Sequence, residues 1–345
     1  MKRSTTALLA GGALLAARAI RRRIGALDLD GAAVLITGGS RGLGLELARV
    51  YADAGARLAL VARSEDALAR ARQELVAHGA EVVVRAADLR EPGAAADAVR
   101  WAAGVYGRLD VLVNNAGIIG VGPLEHLERK DFEDAFALHV WAPLEAMQAF
   151  AEGARRQPAP DGGTRIVNIA SFGGLVSVPH MIPYATSKFA LVGLSDGMRT
   201  ALARDDIHVT TVAPGLLRTG SHVNAGFKGQ HEAEFAWFSA GAGNPLLSMD
   251  AGRAARKIVE ASRVGQARLT LTFPAKLAHA FDTFAPGLTA SALKLAERLL
   301  PDATGASGDT LRMGYESTSA ISPSVLTALA DREVGPNNEL PAEKP

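Results

Sequence analysis

Thr37-Gly38-Gly39-Ser40-Arg41-Gly42-Leu43-Gly44 is the stretch from which the rest of the chain is read. It follows Ala32–Thr37, an unbroken run of small, branched and apolar residues, and opens into Leu43–Ala54, whose apolar residues return at helical spacing. Strand, tight turn and helix in that order form the entrance of a βαβ unit. Glycines at 38, 42 and 44 allow a tight turn, close approach of the backbone to a ligand, and a helix packed hard against its strand. The first N–H groups of such a helix lack intrahelical partners and carry partial positive charge, so the turn suits a phosphate. An ordinary glycine-rich connection is the bland alternative, and the flanking strand and helix argue against it.

Outward from this turn the alternation continues. Arg57–Ala62, Glu81–Ala86, Asp110–Val113, Arg165–Ala170, His208–Ala213 and Ala267–Phe273 read as further strands. Glu65–His78, Gly93–Tyr106, Lys130–Arg155, Pro183–Arg204 and Asp250–Ser262 read as helices between them. Strands that alternate with helices pair in parallel through right-handed crossovers. The expected fold is therefore α/β, a Rossmann-type doubly wound sheet of seven parallel strands with helices on both faces. The catalytic domain is expected over residues 28–275, with a lid at 218–248 that carries Phe227, Phe235, Trp237 and Phe238. Four aromatics either close over an apolar substrate or pack a short lid helix. A helical extension is expected at 276–300. Residues 301–345, rich in Gly, Ser, Asp, Asn and Pro, read as a flexible tail.

The chain has 345 residues, 48% hydrophobic and 21% charged, which is a globular balance, and no cysteine, which removes disulfides and thiolate chemistry. Its net charge of +1 hides an asymmetry: residues 1–27 hold six basic residues and no acid, while the remainder holds 31 basic against 36 acidic. A body of that balance is a poor nucleic-acid binder, because phosphate neutralisation needs clustered positive charge. Ser4–Ala17 is uncharged but shorter than the ~20 apolar residues a membrane span needs. The stretch 1–27 reads as a membrane-surface or marginal transmembrane anchor, a disordered or packed helical tail, or a cleaved signal. The expected location is cytoplasmic, with membrane association left open to that tail.

At the end of the second strand stands Val61-Ala62-Arg63-Ser64, with no carboxylate before Glu65. An NAD site places an acid there for the ribose 2′-hydroxyl. Arg63 and Arg41 suit a 2′-phosphate instead, so the expected cofactor is NADP(H). Tyr184-Ala185-Thr186-Ser187-Lys188 opens a helix after Pro183, and its i, i+4 spacing puts phenol and ammonium on one face. A neighbouring ammonium favours phenolate and brings a phenol towards useful values. Ser171, just after the fifth strand, is placed to hold a carbonyl oxygen beside it.

Taken together these motifs resemble the short-chain dehydrogenase/reductase family in its NADP(H)-preferring classical form, over about Leu29 to Phe273. Thr37–Gly44 is similar to that family's TGxxxGxG, with Gly38, Ser40, Arg41, Gly42, Leu43 and Gly44 expected at the cofactor. Asp88-Leu89 resembles the adenine-contacting pair. Asn114-Asn115-Ala116-Gly117 matches NNAG, with Asn114, Ala116 and Gly117 expected beside the cofactor. Ser171, Tyr184 and Lys188 fall on the catalytic serine, tyrosine and lysine. Pro214-Gly215-Leu216-Leu217-Arg218-Thr219 is similar to the PG-xxx-T segment, placing Pro214, Gly215 and Thr219 at the cofactor. The resemblance implies reversible hydride transfer between nicotinamide and a carbonyl or alcohol of small-molecule size, and a homodimer or homotetramer.

One position departs from the pattern. His139 stands where the family usually has an asparagine that holds a water in a proton relay. Three readings stay open for it: a substitute in the relay, a structural hydrogen bond, or a dead relay. Gly193-Leu194-Ser195-Asp196-Gly197 fits a hydrolase elbow, but Ser195 falls two turns into a helix rather than on a strand-to-helix turn. His180 reads as a loop histidine or a substrate contact. The eight histidines are scattered, so no metal is expected. The rival to an enzyme is a non-catalytic NADPH-binding or membrane-associated scaffold protein.

Overall fold

The computed structural model describes residues 25–319 and 322–340, so the segment 1–24 lies outside the described residues. In chain order the first half runs β1 (Ala33–Thr37), α1 (Gly42–Asp53), β2 (Arg57–Ala62), α2 (Glu65–Ala77), β3 (Val82–Ala86), α3 (Ala94–Tyr106), β4 (Val111–Asn114) and β5 (Gly120–Val121). There follow α4 (Arg129–Phe136), a π-helical turn at Ala137–Trp141, α5 (Ala142–Ala154), β6 (Thr164–Ile169), α6 (Ile182–Ala201) and β7 (Ile207–Ala213). The chain continues as β8 (Leu216–Arg218), β9 (Gly226–Phe227), α7 (His231–Gly243), β10 (Ser248–Asp250), α8 (Ala251–Arg263) and β11 (Arg268–Thr270). It closes with α9 (Phe273–Phe284), α10 (Pro286–Glu297), β12 (Arg312–Met313) and α11 (Ala328–Asp331).

Seven strands form one parallel sheet in the order β3-β2-β1-β4-β6-β7-β11. This is the expected α/β architecture. Alternate side chains go to opposite faces. Val34 and Ile36 of β1 join Leu45, Tyr51, Leu68 and Ile258 in a core under α1, α2 and α8. Ala33 and Leu35 join Ala98, Ala102, Ala146 and Phe150 in a second core under α3 and α5. Both faces are covered, which is why β1 is buried at every residue. Strand order reverses between β1 and β4, so a crevice opens at their carboxyl ends, where the glycine turn lies.

Several expected boundaries change. The helix expected at Lys130–Arg155 is interrupted by the π turn. Pro143 has no N–H and its ring crowds the carbonyl of residue 139, so regular α geometry cannot pass through that point. The strand expected at Ala267–Phe273 is paired only at Arg268–Thr270, because Thr272 and Phe273 already begin α9. The extension expected at 276–300 is two helices, parted at Ala285-Pro286, and they leave Phe273, Leu277, Phe281, Phe284 and Leu288 exposed. Residues 301–319 and 322–340 are folded onto the body, where a flexible tail was expected. Ser317, Ser322, Thr327, Asn337 and Glu339 are all buried there. Among the described residues no helix is long and apolar enough to cross a membrane.

Arg165, at the start of β6, is fully buried and donates only to carbonyls: Ser262 O at 2.8 Å, Gly162 O at 2.6 Å, Thr164 O at 3.2 Å, Gly25 O at 2.9 Å and Arg263 O at 3.0 Å. It ties the chain entry to the end of α8. Burial pulls its guanidinium down to about 10, against the attraction of Asp206. Arg165→Leu should therefore cost at least ~3 kcal/mol, since charged hydrogen bonds are lost and carbonyls are left unpaired. Urea unfolding with an unchanged midpoint would remove this role.

Candidate active site

The turn after β1 is held from below by one hydroxyl. Thr37 Oγ1 donates to Val113 O at 3.2 Å and accepts from the N–H groups of Asn115 at 3.0 Å and Ala116 at 3.1 Å. Asn115 Nδ2 donates back to Thr37 O at 3.1 Å and Gly38 O at 3.2 Å. Gly42 has φ +54°, which a side chain would strain, and a methyl group at Gly44 would collide with the Gly38 carbonyl. The result is a cradle that only glycines can line, opening on the N-terminus of α1, and it fits a diphosphate.

Of the expected cofactor residues, Ala116 lies beside Gly38 and Thr219 beside Gly42. Ser40 and Leu89 are buried, while Arg41 and Leu43 are half-buried. Asp88 pairs with Arg90 at 2.6 Å, and that hydrogen bond holds its carboxyl below the usual range. Asn114 Nδ2 donates to Asn168 Oδ1 at 2.8 Å, across β4 and β6. Pro214 O accepts from Phe172 N at 2.7 Å, tying the loop after β7 to that after β6, and Gly215 lies against Thr272. Thr219 is buried, its hydroxyl donating to Ser221 Oγ at 2.8 Å. Arg63, at the end of β2, is exposed and makes no hydrogen bond or ion pair among the described residues.

Ser171, Tyr184 and Lys188 come together above β6. A methyl on Gly173 would lie 3.3 Å from Tyr184 Cε1 and 3.5 Å from Ser171 Oγ, so phenol ring and hydroxyl share one corner. Lys188 Nζ lies 5.7 Å from the centre of the Tyr184 ring and donates to Ile169 O at 2.9 Å. Burial brings the lysine down to about 7. Burial raises the Tyr184 phenol, with Ser171 pulling the other way, so in this state the tyrosine keeps its proton.

His139 sits in the π turn, edge-on to Tyr184 at 5.6 Å. Its Nε2 accepts from Ile118 N–H at 3.1 Å, which assigns the proton to Nδ1. Nδ1 lies 2.8 Å from Ser187 Oγ, and that hydroxyl donates to Tyr184 O at 2.8 Å. Both nitrogens are therefore committed, and the chain of bonds ends on a peptide carbonyl. Burial, then the Lys188 charge, hold the imidazole well below its ordinary value, so it is neutral.

The lid aromatics Phe227, Phe235 and Phe238 are buried against one another, with Tyr184 and Trp237 on the edge of their cluster. His180, at φ +59°, bonds Glu234 of α7 at 2.7 Å and reaches Glu297 of α10 at 3.3 Å. This clamp of lid to catalytic loop had no sequence signal, since its members lie 54 and 117 residues from His180. Ser195 bonds Asn168 Nδ2 and Thr211 inside the core, so its elbow-like string is structural.

The folded C-terminal stretch ends at the cradle. Asn337 O accepts from Gly42 N–H at 2.9 Å, and the buried Glu339 carboxylate lies 3.6 Å from Arg41 Nε. Sequence reading missed these residues because Gly335-Pro336-Asn337-Asn338 carries turn signals and no apolar period.

Residues 32–227 match the family model described as short chain dehydrogenase. The chain is 36% identical over 192 residues to gluconate 5-dehydrogenase of Gluconobacter oxydans, covering 56% of this chain and 73% of that protein. It is 36% identical over 194 residues to D-threitol dehydrogenase of Mycolicibacterium smegmatis, covering 55% and 72%. The solved short chain dehydrogenase of Burkholderia cenocepacia, a complex with NADP, superposes with a TM-score of 0.62 at 29% identity, covering 72% of this chain and all of that one.

His139→Leu should cost about 1–3 kcal/mol by leaving the Ile118 N–H unpaired, and His139→Asn should recover most of it. A neutral buried histidine is protonated only on unfolding, so it adds a loss of stability as pH falls below about 6.5. His139→Asn should flatten that acid limb in thermal melts from pH 8 to pH 5. An unchanged limb removes the reading of His139 as a neutral, structural hydrogen-bonding residue.

Proposed function

As a member of the short chain dehydrogenase family the chain is an NAD(P)-dependent oxidoreductase acting on CH–OH groups, and we propose that it uses NADP(H) to interconvert an apolar ketone or aldehyde and its alcohol. The observation that carries this reading is the meeting of the Ser171 hydroxyl and the Tyr184 ring in one corner, with Lys188 one turn further along the same helix. The glycine turn Gly38–Gly44 and the N-terminus of α1 would hold the dinucleotide, which would supply or accept the hydride. Ser171 and Tyr184 hold the substrate oxygen, and the phenol, which keeps its proton when buried, delivers it to that oxygen. Lys188, brought to about 7, is the neighbour whose charge changes in the neutral range and so sets the acidity of the pair. Orientation and a matched acid carry the rate, without a covalent intermediate.

NADP(H) is supported by Arg63, exposed and unpaired at the end of β2, and by Arg41 at the turn. The apolar substrate is supported by the cluster of Val121, Met181, Phe227, Phe235 and Phe238 beside Tyr184. The family match ends at residue 227, before α7, so the relatives' substrates do not carry over to this lid. Trp141 and Phe189, both exposed, support a homodimer or homotetramer.

Tyr184→Phe should lower turnover of an aliphatic or aromatic ketone panel about 10²–10⁴-fold while NADPH binding persists. Full retention of turnover overturns the chemistry, and NADPH binding without Tyr184-dependent turnover of any carbonyl supports the rival. Arg63→Ala should weaken NADPH about tenfold more than NADH, the loss of one charge-assisted contact. Equal weakening of both dinucleotides overturns the 2′-phosphate assignment.

A further inference from the structure

The segment after α10 does not simply trail over the surface. It pins itself to the turn before α4, where Asp309 lies 2.7 Å from His126 Nδ1, and to the lid, where β12 pairs antiparallel with β9, Ser322 Oγ lies 2.9 Å from Ser239 Oγ, and Asp331 lies 2.9 Å from His222 Nε2. From that mooring the chain passes Gly335-Pro336 and enters the cleft between α1 and α2. Pro336 O accepts from Arg49 Nη2 at 2.6 Å. Asn337 O takes the first N–H of α1, that of Gly42, at 2.9 Å. Asn338, at φ +56°, donates from Nδ2 to Ser40 O at 2.8 Å and Ala67 O at 2.9 Å, and its Oδ1 accepts from Arg70 Nε at 2.7 Å. Glu339 lies against Gly42; its Oε2 accepts from Asn224 at 2.7 Å and faces Arg41 at 3.6 Å.

Two of these acceptors, Asn337 O and the Glu339 carboxylate, stand where the dinucleotide reading needs an acceptor of its own. A carbonyl and a carboxylate at a helix N-terminus beside an arginine are what a diphosphate offers there. We propose that Pro336–Leu340 is an autoinhibitory strap, an internal occupant of the dinucleotide cleft whose release and cofactor binding are one exchange. The proposal rests on the dehydrogenase reading above. It reaches beyond the family match, which ends at residue 227.

The strap is built for release. It is five residues long and follows a glycine with open space around it, so freeing it requires only local opening while the mooring on α7 and the 221–224 turn stays in place. Docking also takes Glu339 out of water, and burial pushes its carboxyl up to about 7 against the pull of Arg41 and Asn224. That cost lowers the net gain from the strap's hydrogen bonds. The strap reaches both α2, through Arg70, and the lid, through Asn224, so its departure also unties the two sides of the cleft.

The test is NADPH titration of the intact chain and of a chain lacking residues 336–345, followed by calorimetry, with hydrogen exchange of residues 328–340 in the intact protein. Apparent affinity scales with the fraction of molecules whose site is free, so the shortened chain should bind NADPH about tenfold tighter or more. In the intact chain NADPH should increase exchange at 335–340. An N338A/E339A double variant should move affinity in the same direction as the truncation. Equal or weaker binding by the shortened chain, or NADPH-induced protection of 335–340, overturns the strap while leaving the dehydrogenase reading intact. If neither chain binds NADPH or NADH, the dehydrogenase reading fails and the strap fails with it. Should the shortened chain not fold, exchange in the intact chain decides alone.

Discussion

The hydroxyl of Thr37 holds the place where the sheet changes direction. Strands β1 and β4 part there, and the turns that follow them leave N–H groups in nearly dry surroundings. One oxygen accepts from two of these, Asn115 and Ala116, and donates to Val113. Valine has the same shape but would leave those donors unpaired, at about 1–3 kcal/mol each. The crevice and the cradle above it are built on that junction.

Above the junction the site is unusual in burying ionisable groups without countercharge. Lys188 donates to a carbonyl and has no carboxylate in ion-pair range among the described residues, so burial alone brings it to about 7. The same charge helps keep His139 neutral. Tyr184, half-buried beside them, keeps its proton.

Much of this was legible in the sequence because it rests on local rules. Two-residue periodicity separates Val34 and Ile36 from Ala33 and Leu35, and the glycine spacing at 38, 42 and 44 demands a turn of one shape. Tyr184 and Lys188 share a face through helix geometry alone. The π turn at His139 also had a local signal, Pro143 four residues on, but a single proline within a long helical pattern reads equally well as a kink. The His180–Glu234 clamp and the Arg165 knot were not legible, since their partners are brought together only by tertiary packing. The tail was misread for a different reason. Composition registers the absence of an apolar core, and this segment is held mainly by polar bonds to backbone and side chains of the body.

That difference explains why a polar strap can lie in a cleft made for a charged ligand. The N-terminus of α1 presents N–H groups that must be satisfied whatever the cleft contains. Water can do so, and so can any chain segment that brings acceptors at the right spacing. Asn337 and Glu339 supply one carbonyl and one carboxylate, whereas a diphosphate brings more negative charge and more oxygens to the same edge. The strap is nonetheless tethered, so its acceptors arrive at high effective concentration without the loss of translational freedom a ligand incurs. Exchange between the two is thus a small difference between similar sets of bonds. A few residues at the chain end are enough to set where that balance lies.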